Sequence, residues 1–307
     1  MKTSWGGVSG WYDELLEKRE GTYQKDVILP NLMRMIGVGS GASALKGANV
    51  LDLACGQGFF ARELAKAGGS KAGESPAKVF GADIAKELIE IAKANPDAVT
   101  RKIEYHVAPS NSLAFIADKS IDVITIVLAL QNIEDLAGTM QECARILKPM
   151  TIMPDGTSSG GRLFIVLNHP AFRIPKRSSW QWDHVSEPGK GAPGAGHQYR
   201  RIDAYMSESR ERIDMNPGTA ADGDRATSKK FTVSFHRPLQ VYFKALTKAG
   251  FNVARLEEWV SHKNSVAGPR ADEENRIRKE IPMFLTLEAR RVLKEWEVKE
   301  VGVAAKK

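Results

Sequence analysis

The chain has 307 residues, an apolar content of 42% and a formal net charge of +7, which suits one large globular domain with an inserted subdomain. It has no apolar run of the roughly 18 residues that a membrane span needs. The N-terminus lacks the apolar core of a signal peptide, so we expect a cytoplasmic protein without a membrane segment. Two cysteines, Cys55 and Cys143, are too few for a disulfide framework.

Helical and strand-like segments alternate along the first half of the chain. Residues 11–16 and 23–35 show helical periodicity and predict an N-terminal helical segment. Beyond it, strands are predicted at residues 49–54, 78–83, 103–107, 121–127 and 161–168, with helices at 59–67, 85–95 and 136–147. This alternation predicts a parallel sheet with right-handed crossovers. Nearly continuous apolar runs further predict strands that are covered on both faces.

The second half of the chain interrupts this alternation and then resumes it. Strand-like segments at 199–207 and 229–235 predict a β-rich cap, and 150–159 reads as a surface loop. A helix ending at Lys248, strands at 251–256 and 282–288, and a charged helix at 288–298 follow. We therefore divide the chain into a helical lid (1–46), a core (47–169 and 236–290), an inserted cap (170–235) and a charged C-terminal tail (291–307).

The stretch NVLDLACGQG at residues 49–58 carries the strongest chemical signal. A buried strand with one acid, Asp52, leads into a turn of small residues and then into a helix, which is the first crossover of a nucleotide-binding sheet. The second strand also ends in an acid, Asp83, which can accept hydrogen bonds from both hydroxyls of a ribose or can cap the helix that follows. Phe60 and Ala61 stand where a dehydrogenase would carry its third glycine.

Three stretches together resemble a known family. LDLACGQGFFARELAKAG, VFGADIAKELIEIAKA and SIDVITIVLALQNIEDLAGTMQECARILKP are similar to the glycine motif, the ribose acid, and the fourth strand with its helix in class I S-adenosylmethionine-dependent methyltransferases of the type 11 (UbiE-like) group. The resemblance covers residues 47–167 and resumes at 236–259. It implies an α/β fold: a Rossmann-like, seven-stranded, mainly parallel sheet with helices on both faces. It also implies S-adenosyl-L-methionine as cofactor, S-adenosyl-L-homocysteine as product, and no metal.

The same resemblance assigns the cofactor contacts. The methionine end would meet the glycine turn and Asp52. Tyr23 and Gln24 are further candidates for this part, although Tyr23 could instead pack in the core between helices. The ribose would meet Asp83, and Ile84 would cover the adenine. The acid that the family places after its third strand is replaced by Pro109, so a neighbouring side chain or backbone group would take the adenine amino group. The predicted cofactor residues are Tyr23, Asp52, Ala54, Gly56, Gly58, Asp83, Ile84, Ser110, Asn111, Ser112, Leu128 and Gln131.

The acceptor side is less sharply defined. His169 follows the fifth strand and is a candidate general base, a substrate contact, or a structural residue. His236 is the second catalytic candidate, and its neighbour Arg237 could hold an anionic group. Trp180 and Trp182 could wall an apolar pocket or form the core of the cap. The predicted substrate contacts are Tyr12, Trp180, Trp182 and Arg237.

These patterns predict a methyltransferase that acts on an O or N atom of a small-molecule acceptor, as a monomer or homodimer. Residues 170–237 hold twelve Lys and Arg against eight Asp and Glu. This surplus suits an anionic substrate or nucleic acid, or is simply a solvated surface. An RNA or protein methyltransferase is the alternative, although no RNA-binding module is appended. A regulatory protein that binds the cofactor without turnover is a third possibility.

Overall fold

The computed structural model describes residues 20–38, 45–67, 75–152, 158–183, 196–214 and 231–292. Seven of its strands form one sheet, in the spatial order β12 (Phe251–Trp259), β13 (Phe284–Arg291), β7 (Arg162–Asn168), β4 (Val123–Val127), β1 (Asn49–Leu53), β2 (Lys78–Asp83) and β3 (Glu104–Val107). Five of them (β7, β4, β1, β2 and β3) run parallel, and β13 runs antiparallel to both of its neighbours. The predicted fold class, a Rossmann-like and mainly parallel seven-stranded sheet, is confirmed.

The strands and helices follow the predicted alternation. The strands of the main sheet are β1 (Asn49–Leu53), β2 (Lys78–Asp83), β3 (Glu104–Val107), β4 (Val123–Val127), β7 (Arg162–Asn168), β12 (Phe251–Trp259) and β13 (Phe284–Arg291). The helices are α1 (Leu29–Ile36), which a π-helical turn (Gln24–Ile28) precedes, α2 (Phe59–Lys66), α3 (Lys86–Ala94), α4 (Pro96–Thr100), α5 (Leu136–Ile146), α6 (Leu239–Lys248) and α7 (Ala271–Glu280).

Helices cover both faces of the sheet because successive side chains of a strand point to opposite sides. In β7, Phe164 and Val166 belong to one buried apolar cluster, whereas Leu163 and Ile165 belong to the other. The first cluster includes residues of α1 and α2, and the second includes residues of α5 and α6. The sheet is therefore the middle of three layers, as its continuous apolar runs predicted.

Three short antiparallel hairpins accompany the main sheet. In the inserted segment, β8 (Ser178–Asp183) pairs with β9 (His197–Ile202), and β10 (Ser209–Asp214) pairs with β11 (Phe231–His236). The third hairpin joins β5 (Thr151–Ile152) to β6 (Ser158–Ser159), where we had predicted only a loop. The two hairpins after β7 give the insertion the β-rich character that the sequence predicted.

One predicted element is wrong. The charged helix expected from residue 288 does not begin there, because β13 continues to Arg291 and pairs with both β12 and β7. Glu288 and Arg291 are buried in this strand despite their charge. Arg255 lies on β12 and donates to the Glu288 carboxylate at 2.8 Å. This partner lies 33 residues away in sequence, so local charge spacing could not reveal it.

The carboxyl ends of β1, β2, β4 and β7 meet at one edge of the sheet, which is where open α/β sheets bind ligands. The antiparallel strand β13 begins at that same edge, because Phe284 pairs with Asn168 at the end of β7. Among the described residues, no helix is long and apolar enough to cross a membrane.

Candidate functional site

A cavity opens at the carboxyl ends of β1, β2 and β4, and we call it the first cavity. Both acids singled out in the sequence, Asp52 and Asp83, lie in its wall. The remainder of the lining comes from the turn after β1, the start of α2, and the loop after β4. Its lining residues are Gln24, Asp52, Ala54, Cys55, Gly56, Gln57, Phe59, Phe60, Asp83, Ile84, Leu88, Val127, Leu128, Ala129, Asn132 and Ile133.

The turn after β1 presents backbone to this cavity. Ala54 and Gly56 both have a φ of 57°, a left-handed conformation that glycine adopts at low cost and that costs alanine roughly 1–2 kcal/mol. The Cys55 N–H donates to the Ala82 carbonyl at 3.0 Å and so joins the turn to the end of β2. Burial raises the pKa of the Cys55 thiol well above its usual range. Cys55 is therefore a small protonated wall residue.

Gly58 was predicted to contact the cofactor, but it lies outside the lining of the first cavity. Its φ is 83°, and a Cβ placed on it would lie 2.3 Å from the Tyr105 hydroxyl oxygen. The Tyr105 ring also packs against Gly81 of β2, where a Cβ would lie 2.4 Å from the ring. Gly58 is therefore required for the packing of Tyr105 beneath the turn, which corrects the sequence interpretation.

The Asp83 carboxylate joins the second strand to the turn. One oxygen accepts the Gly56 N–H at 2.9 Å and the other accepts the Ala85 N–H at 2.8 Å. The residue is buried, and this burial raises its pKa, against which the backbone hydrogen bonds act. Each carboxylate oxygen has a second lone pair, so Asp83 can hold the turn and still accept hydrogen bonds from a ligand. Ile84, half exposed beside it, offers an apolar surface.

Asp52 is more deeply buried than Asp83 and only partly satisfied. Its Oδ1 accepts the Thr125 hydroxyl at 2.8 Å, whereas Oδ2 is buried without a hydrogen-bond partner among the described residues. Burial raises the pKa of this carboxyl to about 7. A buried polar atom without a partner is costly. A cationic or hydrogen-bond-donating ligand group in the cavity would relieve that cost.

The loop after β4 forms the opposite wall. Leu128 has a φ of 51° and lines the cavity, as predicted for it. Gln131 was also predicted to do so, but its side chain turns back and donates to the Leu128 carbonyl at 2.7 Å. Asn132 and Ile133 line the cavity in its place. Gln131 and Asn132 both belong to the 3-10 turn Leu130–Asn132, and Ile133 follows it directly.

Arg237 supports this same loop from behind. Its guanidinium is buried, donates to the carbonyls of Ile133 at 2.9 Å and Glu134 at 2.8 Å, and lies 5.0 Å from the Phe235 ring. Arg237 lines none of the described cavities. These contacts to loop carbonyls give no support to the prediction that Arg237 holds an anionic substrate. It is a positioning residue for the loop.

Replacing Arg237 by Met should lower the free energy of unfolding by about 1–3 kcal/mol, because it leaves buried carbonyls unsatisfied. Thermal or denaturant unfolding measures this change. Arg201→Met is the control, since Arg201 lies exposed on β9 and its ion pair among the described residues is with Asp203, just beyond that strand. Equal stability of Arg237→Met and the unchanged chain would show that the loop does not depend on these hydrogen bonds.

A neighbouring hollow, the third cavity, shares Ala54, Asp83 and Ile84 with the first. Ser110 and Asn111 line it as predicted, whereas Ser112 does not. The Ser110 hydroxyl is already bonded to Thr139 at 2.7 Å. Asn111 donates to the Asp135 carboxylate at 2.7 Å. That hydrogen bond lowers the pKa of Asp135 and keeps it ionised beside the hollow, where the sequence had suggested no acid.

His169 is held on both of its ring nitrogens. Its Nδ1 accepts the backbone N–H groups of Ala171 (3.2 Å) and Phe172 (3.4 Å), which places the proton on Nε2. Nε2 donates to Glu258 at 2.7 Å. No lone pair remains to take a proton from a substrate, and the ring lines none of the described cavities. His169 directly follows β7, and these contacts give the predicted general base no support.

Burial lowers the pKa of His169 below its ordinary value of 6.5, against the opposing effect of Glu258. The unfolded chain therefore takes up a proton before the folded chain does as the pH falls, so the stabilisation by neutral His169 is present above about pH 6.5 and is lost in acid. We expect the difference in unfolding free energy between the unchanged chain and His169→Gln to be larger near pH 7.5 than near pH 5.5. A difference that grows in acid would instead mean that the Glu258 ion pair dominates.

His236 and Tyr23 also differ from the predictions. The His236 ring is buried and its Nε2 lies 2.7 Å from the Tyr205 carbonyl, so it anchors the start of α6 and touches none of the described cavities. Tyr23 donates or accepts a hydrogen bond with Ser261 at 3.0 Å and packs edge-on against Phe284. Its neighbour Gln24 lines the first cavity, whereas Tyr23 faces another, which we call the second cavity. The second cavity is lined by Tyr23, Phe172, Arg173, Trp180, Arg200, Ser261, Arg278, Ile281, Pro282 and Met283. Neither predicted role is supported.

The predicted substrate aromatics are divided between two environments. Trp180 lines the second cavity and packs against the Arg200 guanidinium at 4.9 Å. Trp182 lines none of the described cavities and packs against Arg270 at 4.8 Å, which removes it from the candidate substrate contacts. Tyr12 lies outside the described residues.

Several site residues were missed by the sequence interpretation. Gln57 is buried at the cavity wall, its Oε1 accepts the Phe59 N–H at 2.9 Å, and its Nε2 has no partner among the described residues. Phe59 and Phe60 supply an aromatic wall at the start of α2. Their position directly after the glycine turn was a usable signal. Within the described ranges, no group of three or more His, Cys, Asp or Glu is placed to hold a metal ion.

Comparison with known proteins agrees with this geometry. Residues 51–153 match the family model described as a methyltransferase domain. Ubiquinone biosynthesis O-methyltransferase of Xanthomonas oryzae pv. oryzae is 31% identical over 121 residues, which cover 39% of this chain and 43% of that protein. The protein of the same name from Bordetella avium is 29% identical over 169 residues, 54% of this chain and 67% of that protein.

A solved structure of an S-adenosylmethionine-dependent methyltransferase from Mesorhizobium loti shares the fold, with a TM-score of 0.58 and 24% identity over 88% of this chain and 100% of that chain. Residues 51–153 are thus a methyltransferase domain of the type 11 group, and the resemblance noted in the sequence is confirmed. The chain spans less than half the length of the Xanthomonas relative.

Proposed function

We propose that the chain is an S-adenosylmethionine-dependent methyltransferase that transfers the methyl group to an O or N atom of a small-molecule acceptor. The observation that carries this proposal is the first cavity, which two buried carboxylates and the small-residue turn after β1 line together. The match of residues 51–153 to a methyltransferase domain supports the same conclusion.

The residues fit the parts of this cofactor one by one. The unpartnered Oδ2 of Asp52 suits the ammonium group of the methionine end. The start of α2 suits its carboxylate, because a helix N-terminus favours anions. Asp83 would accept the ribose hydroxyls, and Ile84 would cover one face of the adenine in the third cavity. Asp135 and Asn111 are the groups nearest to replace the adenine-binding acid that this chain lacks.

The bound cofactor supplies a methyl group made electrophilic by its sulfonium. The protein's own contribution is to position the two reactants, which can account for roughly 7–11 kcal/mol of a barrier. Since His169 and His236 are both held by other groups, neither is assigned a proton-transfer role. Leu128, Asn132 and Ile133 form the wall of the cavity opposite the glycine turn and would help to exclude water.

An oxygen acceptor is favoured over nitrogen by the names of the two relatives, both of which are O-methyltransferases. The proposal is tested by incubating the purified chain with methyl-labelled cofactor and a panel of small phenols, amines and carboxylic acids. Label transferred to a small acceptor, with little dependence on salt, supports it. Transfer only to RNA, falling steeply as salt rises, or only to protein would replace it.

A further inference from the structure

The second cavity lies at the same edge of the sheet as the first. It is bounded by Phe172 after β7, by Met283 before β13, and by Tyr23, which adjoins Gln24 of the first cavity. Strands β4 and β13 are separated by β7 alone, so the two cavities are about two strand spacings, or roughly 10 Å, apart. A single small molecule can therefore reach from one to the other.

Three arginines, Arg173, Arg200 and Arg278, contribute to the wall of this cavity. Arg200 is fixed in place: it donates to the Phe172 carbonyl and to the Ser178 hydroxyl, both at 2.8 Å, and packs against Trp180. Arg278 is held by the Ser265 hydroxyl and by Asn275. Both side chains are therefore set before a ligand arrives.

Arg173 is different from the other two arginines. Its guanidinium lies 6.0 Å from the Phe284 ring and makes no side-chain hydrogen bond or ion pair with the described residues. The residue is exposed to solvent, yet partial burial of its guanidinium lowers its pKa. The pKa of Arg200 is lowered first by burial and then by the nearby charge of Arg173. Two cations are thus held near each other, and an anion placed between them would stabilise both.

Three aromatic residues, Tyr23, Phe172 and Trp180, also line this cavity, together with Ser261, Ile281, Pro282 and Met283. A planar guanidinium binds a carboxylate through two parallel hydrogen bonds, and aromatic walls favour a flat ring. We propose that the second cavity binds a carboxylate carried on an aromatic ring, as the anionic end of the methyl acceptor. This inference rests on the proposed function, because it names the acceptor class of the same site.

The test is titration calorimetry of the full chain, first saturated with S-adenosylhomocysteine, using benzoate and its neutral analogue benzamide as probes. We expect saturable benzoate binding and much weaker binding of benzamide. Arg173→Met should weaken benzoate binding by roughly 10- to 100-fold, as expected for the loss of a charged hydrogen-bonding partner. Arg173→Lys should recover part of it, and the exposed Arg201→Met should bind benzoate as the unchanged chain does.

Each contrary outcome is distinct. Absent or equal binding of benzoate and benzamide, or full benzoate affinity in Arg173→Met, overturns the inference. Tight binding of inorganic phosphate that displaces benzoate would show a simple anion site instead of an aromatic carboxylate site. The affinity for S-adenosylhomocysteine in the first step reports on the proposed function separately, and its retention in Arg173→Met shows that the variant is folded.

Discussion

Replacing Asp83 by Ala should weaken the binding of S-adenosylhomocysteine by about 100-fold or more. Asp83 would lose two hydrogen bonds from ribose hydroxyls to a charged acceptor, each worth about 1.5–3 kcal/mol. The substitution would also remove the acceptor of the Gly56 N–H, which now lies 2.9 Å from the Asp83 carboxylate. This hydrogen bond fixes the turn beneath the ligand. Titration calorimetry measures the change in affinity. The affinity of Asp83→Asn should lie between those of the unchanged chain and Asp83→Ala.

The control for this variant is Asp122→Asn. Asp122 is a carboxylate at the opposite edge of the sheet, where it accepts the Asn49 N–H at 2.9 Å and pairs with Lys148. It should change stability but not affinity. An Asp83→Ala variant that unfolds normally and binds the compound with unchanged affinity would remove Asp83 from the ribose site.

Asp52 should make cofactor binding depend on pH near neutrality. In the free chain its pKa is raised to about 7, so the carboxyl is largely protonated below that pH. A bound ammonium group favours the carboxylate, and binding must then release the proton. We expect affinity for S-adenosylhomocysteine to rise by up to about tenfold for each pH unit up to about pH 7 and then to level off. In Asp52→Asn, the affinity should no longer rise with pH in this range.

The raised pKa of Asp52 also makes the unfolding free energy of the free chain depend on pH. This free energy should fall as the pH rises, whereas the binding affinity should increase. A carboxyl whose pKa is raised in the folded state contributes stability in acid that is lost as the pH rises through about 7. Asp52→Asn should therefore be more stable than the unchanged chain at pH 8, as measured by thermal unfolding without ligand. A less stable variant, or an unchanged pH profile of binding, would contradict the assignment.

The fold could be predicted because its signals are local. The apolar runs of β1 and β4, the alternation with helices, and the small-residue turn each depend on neighbours in sequence. The positions of Asp52 and Asp83 at one sheet edge then follow from parallel strands ending together. The structure places both acids in one cavity, together with Ala54, Gly56 and Leu128.

The roles of the other polar residues depend on distant partners. His169 meets Glu258, 89 residues later, and Arg237 meets the carbonyl of Ile133, 104 residues earlier. Both look like exposed catalytic groups in sequence, since they follow or precede a strand end beside a proline. Only the packing of β12 and of the loop after β4 shows that their hydrogen bonds are already used. Arg173, by contrast, has no sequence signature, because its significance comes from the cavity around it.

The most direct measurement is a crystal structure of the full chain grown with S-adenosylhomocysteine. We expect the compound in the first cavity, with its ribose hydroxyls on the Asp83 carboxylate and its ammonium group within hydrogen-bonding distance of Asp52 Oδ2. Density for the compound at another place, or an empty first cavity in crystals of a chain saturated with it, would contradict the account.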